Sequence, residues 1–262
     1  TVALAEYVGG TEDGFVDLMN SYAASMGLSN TLFQNSTGLP DGNHFSSAKD
    51  LAKMTSLLIN NFPETYSLYK EKYFTFNNIR QPNRNRLLWK DNSSDGVKTG
   101  HTESAGYCLI SSAKRNDMRL IAVVAGAKSD KERFNDTQRL LEYGFRFYST
   151  QEVIKKDNAL KDVDVWGGKK NLVSLGAENN IKLTLPRTSF KNITISYDFQ
   201  NNLRAPIKEG QTLGTLVIKD GEKTLHTENL VALNDVEAKG FFGRLWASLV
   251  LWFRGLFGLG DA

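Results

Sequence analysis

The sequence predicts an α+β chain in three segments, and three observations carry that expectation. Apolar residues recur at helical spacing in several windows of the first half, with short β-like runs between them. After about Tyr148 the texture changes to strict alternation, as in Ile181-Lys182-Leu183-Thr184-Leu185 and Ile193-Thr194-Ile195-Ser196-Tyr197. The final stretch, from Phe241 to Phe257, is aromatic and apolar with Arg244 and Arg254 set into it. The expected divisions are 1–148 (helices plus a mostly antiparallel sheet), 149–236 (a small all-β domain) and 237–262 (an amphipathic helix).

Thr1 to Gly10 reads as the body of a short helix with its glycine stop but without its N-cap. With no initiator Met, the expectation is that these residues begin inside a larger domain. Phe15, Leu18, Met19, Tyr22, Ala23 and Met26 follow helical spacing, and Gly27 ends the run. Thr31 to Asn43 is rich in Asn, Ser, Gly and Pro and reads as loop. Ser46 or Ser47 caps a helix expected to bury Leu51, Met54 and Leu58 and to end before Pro63. Tyr73-Phe74-Thr75-Phe76 and the residues after Asn77-Asn78 form a hairpin. Strands follow around Val97–Thr102, Tyr107–Ala113 and Met118–Gly126, and Asp130 opens a helix with Phe134, Leu140, Leu141 and Phe145 on one side. In the second segment, Leu216 and Ile218 lead into the hairpin signal Asp220-Gly221. His226 lies in an arm of that hairpin and reads as a solvated strand residue.

A net charge of +3, spread without any block of like charge, offers nothing for nucleic acid to bind. The single cysteine, Cys108, rules out an internal disulfide and is expected to be a small buried strand residue. His44, His101 and His226 have neither metal-ligand spacing nor triad partners, and no Gly-x-Ser-x-Gly elbow occurs.

The chemistry concentrates in Asp95-Gly96-Val97-Lys98-Thr99-Gly100-His101-Thr102. Lys98 supplies a fixed cation that attracts a carboxylate and favours ionised neighbours. Thr99 carries a hydroxyl able to donate to that carboxylate. Gly100, lacking a Cβ, lets an extended peptide lie close to the strand. Lys-Thr-Gly is one of three motifs shared by penicillin-binding proteins and class A β-lactamases, beside a Ser-x-x-Lys nucleophile and a Ser-x-Asn element. Three Ser-x-x-Lys strings occur, beginning at Ser46, Ser67 and Ser111. None sits as the chemistry demands, on one turn of a buried helix: Ser46 reads as a cap, Ser67 lies in a short Tyr-rich stretch, and Ser111 ends a strand. No Ser-x-Asn occurs.

Long strings settle the comparison: Tyr69-Lys70-Glu71-Lys72, Phe74-Thr75-Phe76-Asn77, Ile79-Arg80-Gln81-Pro82-Asn83-Arg84-Asn85, Leu87-Leu88-Trp89, Asp95 to Thr102, Ala105-Gly106-Tyr107, Gly144-Phe145-Arg146-Phe147 and Phe241-Phe242-Gly243. On these the chain resembles the C-terminal three quarters of a low-molecular-mass penicillin-binding protein, the serine D-alanyl-D-alanine carboxypeptidase of Gram-negative bacteria. The resemblance implies a β-lactamase/transpeptidase-like catalytic domain whose N-terminal part is missing here, with Ser-x-x-Lys and Ser-Gly-Asn both upstream of Thr1. It implies that Lys98, Thr99 and Gly100 bind substrate, that the His101 backbone N–H is an oxyanion donor, and that Arg84 and Arg133 stand near the site, Arg133 reaching the substrate carboxylate. It further implies removal of the terminal D-alanine from peptidoglycan pentapeptides through an acyl-enzyme, inhibition by β-lactams, no cofactor or metal, and residence on the periplasmic face of the inner membrane. The alternatives are a β-lactamase or transpeptidase of the same superfamily, or a non-catalytic membrane-bound scaffold.

On a helix, Phe242, Leu245, Trp246, Leu249, Trp252, Phe253 and Leu256 share one side, opposite Arg244, Ser248, Arg254 and Gly255, with Leu251 as the exception. The two arginines leave the apolar run too short to span a bilayer, and the pattern is that of a helix lying in the membrane interface. Residues 1–239 are therefore expected to stay in solution while the whole chain floats with anionic liposomes. Equal partitioning of the two forms in a flotation gradient would remove the anchor.

Overall fold

In the computed structural model, which describes residues 1–200 and 202–240, the chain opens with helices α1 (Val2–Gly9) and α2 (Glu12–Ser25). Gly10 stops the first at φ 78°, and Thr11 caps the second by accepting from the Gly14 N–H at 3.0 Å. The stripe expected on α2 turns out differently. Val16 and Ala23 are the residues it buries, while Leu18 and Tyr22 are exposed, because the face that meets its neighbours is rotated away from them. In α3 (Ala48–Asn61) the cap is Ser47, which accepts from the Asp50 N–H at 3.1 Å. Leu51, Met54 and Leu58 are only half-buried. The fully buried positions are Asp50 and Thr55. Asp50 is buried because it ties down the preceding loop, accepting from the Asn30 N–H at 2.7 Å and the Thr31 hydroxyl at 2.9 Å.

After α4 (Pro63–Tyr66) and a 3-10 turn over Ser67–Lys70 come β1 (Tyr73–Phe76) and β2 (Ile79–Pro82). Asn77 and Asn78 join them, both at positive φ, as a two-residue hairpin of this hand requires. The short helix α5 (Leu87–Lys90) leads into an antiparallel sheet of order β3 (Ser94–Thr102), β4 (Gly106–Arg115) and β5 (Met118–Ala127). Helix α6 (Asp130–Phe147) packs on β4 and β5. It buries Phe134, Leu141 and Phe145 in a core that also holds Leu87, Leu109 and Ala113. Cys108 is half-buried rather than buried: β4 leaves it near the sheet's end, with its thiol 3.4 Å from the Ala105 carbonyl.

The chain divides between Phe147 and Tyr148. The second unit contains β6 (Tyr148–Ile154), β7 (Lys161–Trp166), β8 (Leu172–Ala177), β9 (Ile181–Pro186), β10 (Ile193–Phe199), β11 (Leu203–Arg204), β12 (Thr212–Asp220) and β13 (Lys223–Ala232). Six strands form one sheet in the order β10-β12-β13-β8-β7-β11, and β6 pairs with β9. Ile154, Ile181 and Leu183 from the small sheet meet Val173, Leu175, Leu216, Ile218 and Leu230 from the large one in a single apolar core. Gly221, at φ 59°, turns β12 into β13. His226 sits in the second arm, 3.0 Å from the Glu228 carboxylate. The fold class is thus as expected: a mixed α/β unit followed by a β-rich one. The expected terminal helix at 237–262 falls largely outside the described residues, and among those described no helix is long and apolar enough to cross a membrane.

Because Leu216 is wholly enclosed, Leu216→Ala is expected to cost about 2–5 kcal/mol of stability, transfer and cavity terms together. Denaturant unfolding followed by a probe in the second unit measures it; a loss under about 1 kcal/mol would mean that this core is not packed as described.

Candidate active site

Strand β3 is an edge of its sheet, paired on one side by β4 with Lys98 opposite Ile110 and Thr99 opposite Leu109. Alternation sends Lys98 and Gly100 to an exposed face and Val97 and Thr99 inward. The Lys98 ammonium donates to the Thr99 carbonyl at 2.7 Å. Gly100 has room: an added Cβ would come no nearer than 3.8 Å to Cys108 Cβ. Its absence therefore serves whatever lies against the strand rather than the strand's own packing. His101 is exposed, with its ring 4.0 Å from that of Tyr107.

Two arginines from distant segments bear on Lys98. Burial first, then the charges of Arg84 and Arg133, hold its pKa below that of an ordinary lysine. Arg84 is exposed on the segment before α5, and neither it nor Lys98 has a carboxylate partner among the described residues. Arg133 is different. It is buried on α6, its Nη1 donating to the Gly100 carbonyl at 2.9 Å and to the Cys108 carbonyl at 3.3 Å, its Nη2 to Asp130. The same Asp130 takes Arg86 at 3.2 Å. Arg133 thus braces the strand from behind and contributes its charge from there.

Sequence reading missed what holds β3. Asp95 accepts from the Tyr66 hydroxyl at 2.7 Å and from Arg119 at 2.8 Å, and the same Arg119 reaches the Ser112 hydroxyl at 2.7 Å. Desolvation, followed by the bond to Asp95, raises the Tyr66 pKa well above the usual phenol value. One residue on, the Gly96 carbonyl accepts from Asn85 and from Ser111. A Cβ on Gly96 would lie 2.8 Å from the Tyr66 hydroxyl, so this glycine is required by close approach. The one signal available was the run Asn83-Arg84-Asn85, since asparagines so placed bond nearby backbone.

None of the three Ser-x-x-Lys strings forms a serine–lysine pair. The Ser46 hydroxyl meets Thr31 at 2.9 Å, Ser67 donates to the Glu64 carbonyl at 2.6 Å, and Ser111 is spent on Gly96. Among the described residues no three His, Cys, Asp or Glu side chains gather where a metal ion could sit.

A family model described as D-alanyl-D-alanine carboxypeptidase matches residues 1–129, and one described as penicillin-binding protein 5, C-terminal domain, matches residues 148–238. The D-alanyl-D-alanine carboxypeptidase DacF of Bacillus subtilis is 37% identical over 260 residues, covering 97% of this chain and 67% of its own length. The chain belongs to the D-alanyl-D-alanine carboxypeptidase family. DacC of Escherichia coli, a carboxypeptidase of that family, is 47% identical over 259 residues, 98% of this chain and 65% of DacC. Crystal structures of penicillin binding protein 5 from Haemophilus influenzae superpose with a TM-score of 0.76 at 40% identity, covering 90% of this chain and 70% of that one. Measured against DacC and the similar DacA of E. coli, the chain spans slightly under two thirds of its curated carboxypeptidase relatives.

The lowered pKa of Lys98 has a sign that stability can test. Between the folded value and the ordinary one, the unfolded chain binds more protons, so this group's contribution to stability rises with pH through that window. Below that window the penalty is fully present. Lys98→Met is therefore expected to leave the melting temperature unchanged or raise it. Arg115→Met, which strips a cation held by both Asp91 and Glu142, should lower it. Equal losses in the two variants, by calorimetry at pH 7, would contradict the assignment of Lys98 as an unpaired, disfavoured charge.

Proposed function

We propose that the whole protein is a serine-type D-alanyl-D-alanine carboxypeptidase that removes the terminal D-alanine from peptidoglycan pentapeptides, and that this chain supplies the Lys-Thr-Gly wall of its cleft. The observation that carries the reading is an open sheet edge bearing Lys98, with Arg84 of the segment before α5 close enough to act on its charge and neither holding a carboxylate partner among the described residues, in a chain of this family. Such a pair of cations is suited to a peptide's terminal carboxylate. Thr99, expected to donate to the same carboxylate, is turned to the packed side of the strand, so in this reading the two cations meet the carboxylate and Gly100 lets the peptide backbone come close. Arg133 adds its charge from behind the strand. In this reading the backbone N–H of His101 serves as an oxyanion donor, and one such donor lowers the barrier by roughly 3–4 kcal/mol.

The reaction proceeds through a serine hydroxyl that attacks the D-alanyl carbonyl, loses its proton to a base, and expels D-alanine with that proton. Water then opens the ester and returns free enzyme. With Ser46, Ser67 and Ser111 all engaged elsewhere, the nucleophile and its lysine belong to a Ser-x-x-Lys element outside these 262 residues. Penicillin acylates the same serine. No cofactor or metal enters. The segment 149–236 acts as a spacer, and 237–262 rests on the periplasmic face of the inner membrane.

A fluorescent penicillin tests this. The 262 residues alone are expected to take no covalent label, and a chain extended upstream through Ser-x-x-Lys and Ser-Gly-Asn is expected to label and to release D-alanine from a pentapeptide. Labelling of the 262 residues alone would assign the nucleophile to a serine set aside here and overturn the reading.

A further inference from the structure

Asn85 lies in the string that carries the family likeness, yet it takes no part in the chemistry just described. It is completely buried, at 0% exposure, and both polar atoms of its side chain are engaged. Nδ2 donates to the Gly96 carbonyl at 2.9 Å, and Oδ1 accepts from the Leu87 N–H at 3.2 Å, at the head of α5. Its own N–H donates to Asn83 Oδ1 at 2.9 Å, and Asn83 in turn donates to the Glu71 carbonyl at 3.0 Å. Arg84 is therefore presented from between two pinned neighbours.

The other end of this connection is equally specific. Gly96 sits where the β3–β4 register is irregular, between Ser94 and Gly96, two residues ahead of Lys98. Its carbonyl takes a second bond from the buried Ser111 hydroxyl at 3.0 Å. A strand's side chains alternate with a period of two, so a one-residue slip at this point would turn Lys98 inward and Thr99 outward.

We propose that Asn85 is the positioning residue of the Lys-Thr-Gly site: one amide ties the Gly96 carbonyl to the Arg84 backbone, so that the Arg84 guanidinium and the Lys98 ammonium face a substrate carboxylate together. The function of this pairing rests on the carboxypeptidase reading above. Asn85 acts through Arg84 and Lys98 and touches no substrate itself.

Asn85→Ser separates this role from simple capping of α5. Serine is as good an N-cap acceptor for the Leu87 N–H and carries no charge, but it is too short to reach Gly96. Ser111→Ala removes the second donor to the same carbonyl. Leu141→Ala, in the core under α6, serves as the control for lost stability. In the whole protein, at a temperature well below every melting transition, Asn85→Ser is expected to lose at least tenfold in kcat/KM for D-alanine release. Leu141→Ala should stay within twofold of the parent. The titration of Lys98, followed by NMR of 13C-methylated lysines and assigned with Lys98→Arg, should move toward the ordinary lysine range in Asn85→Ser as Arg84 drifts from it. Ser111→Ala should give a smaller change of the same sign, and Leu141→Ala none. An Asn85→Ser protein that keeps its kcat/KM within twofold of the Leu141→Ala control, or whose Lys98 titration does not move, would reduce Asn85 to a folding residue. If the parent protein neither labels with penicillin nor releases D-alanine, the carboxypeptidase reading fails, and the Lys98 titration alone then decides the positioning role.

Discussion

The register of β3 against β4 governs everything this chain can do. Alternation leaves two options for Lys98, the open face or the packed one, and only the first gives a usable cation. Edge strands are weakly specified because they are paired on one side only. Here the specification comes from polar groups on the neighbouring strands β4 and β5 and on the segments that carry Tyr66 and Asn85. Asp95 is held by Tyr66 and Arg119, and Gly96 by Asn85 and Ser111. These bonds converge on two consecutive residues, at the irregularity after which the pairing runs one for one to Thr102. Buried polar groups stabilise only when fully paired, and pairing of this kind specifies one register where an apolar layer would tolerate two.

Several arginines of the first unit are matched by carboxylates. Arg115 is shared by Asp91 and Glu142, Arg119 is matched by Asp95, and Arg139 by Asp136. Asp91 and Glu142 are correspondingly held below the usual carboxylate range: burial is the largest influence on Asp91 and opposes this, but its bonds to Ser93 and Arg115 prevail, while Arg115 is the main cause for Glu142. Lys98 and Arg84 are not so matched among the described residues. Arg84 and Lys98 face each other's charge with no described carboxylate between them, at a cost to the folded state that appears as the depressed lysine. Sites that recognise ligands commonly sacrifice stability in this way, and the proposed function assigns these two cations to a substrate carboxylate.

Much of this was legible in the sequence, for local reasons. Ser47 as a cap, Gly10 as a stop, the Asn77-Asn78 and Asp220-Gly221 turns, and the alternation of β9 and β10 are each set by a few adjacent residues. That Lys98, Thr99 and Gly100 lie on one strand was legible from the local run. What could not be read was any relation made by folding. Tyr66 and Asp95 are 29 residues apart, Gly96 and Ser111 are 15 apart, and nothing in either segment announces the other. Helical spacing on α2 and α3 gave the elements but not the burial, since Leu18, Tyr22 and Leu58 fit a stripe that the neighbouring elements do not fully cover.

Arg84 and Arg133 show how far residue type underdetermines role. Both are arginines near the same lysine, and both depress it. Arg84 reaches it from an exposed segment held at both ends by asparagines, with its donors free for a ligand. Arg133 reaches it from inside, its Nη donors given to Gly100, Cys108 and Asp130 while its buried Nε has no partner. Burial removes Arg133 from direct recognition, but it does not remove its charge. In the less polarisable interior that charge is screened less than one in water, so it continues to act on Lys98. One arginine can bind because it is exposed, and the other can hold the strand and still bias the site because it is not. The Gly100 carbonyl, accepting from Arg133 on the residue that the proposed function gives to peptide approach, is where these two roles meet.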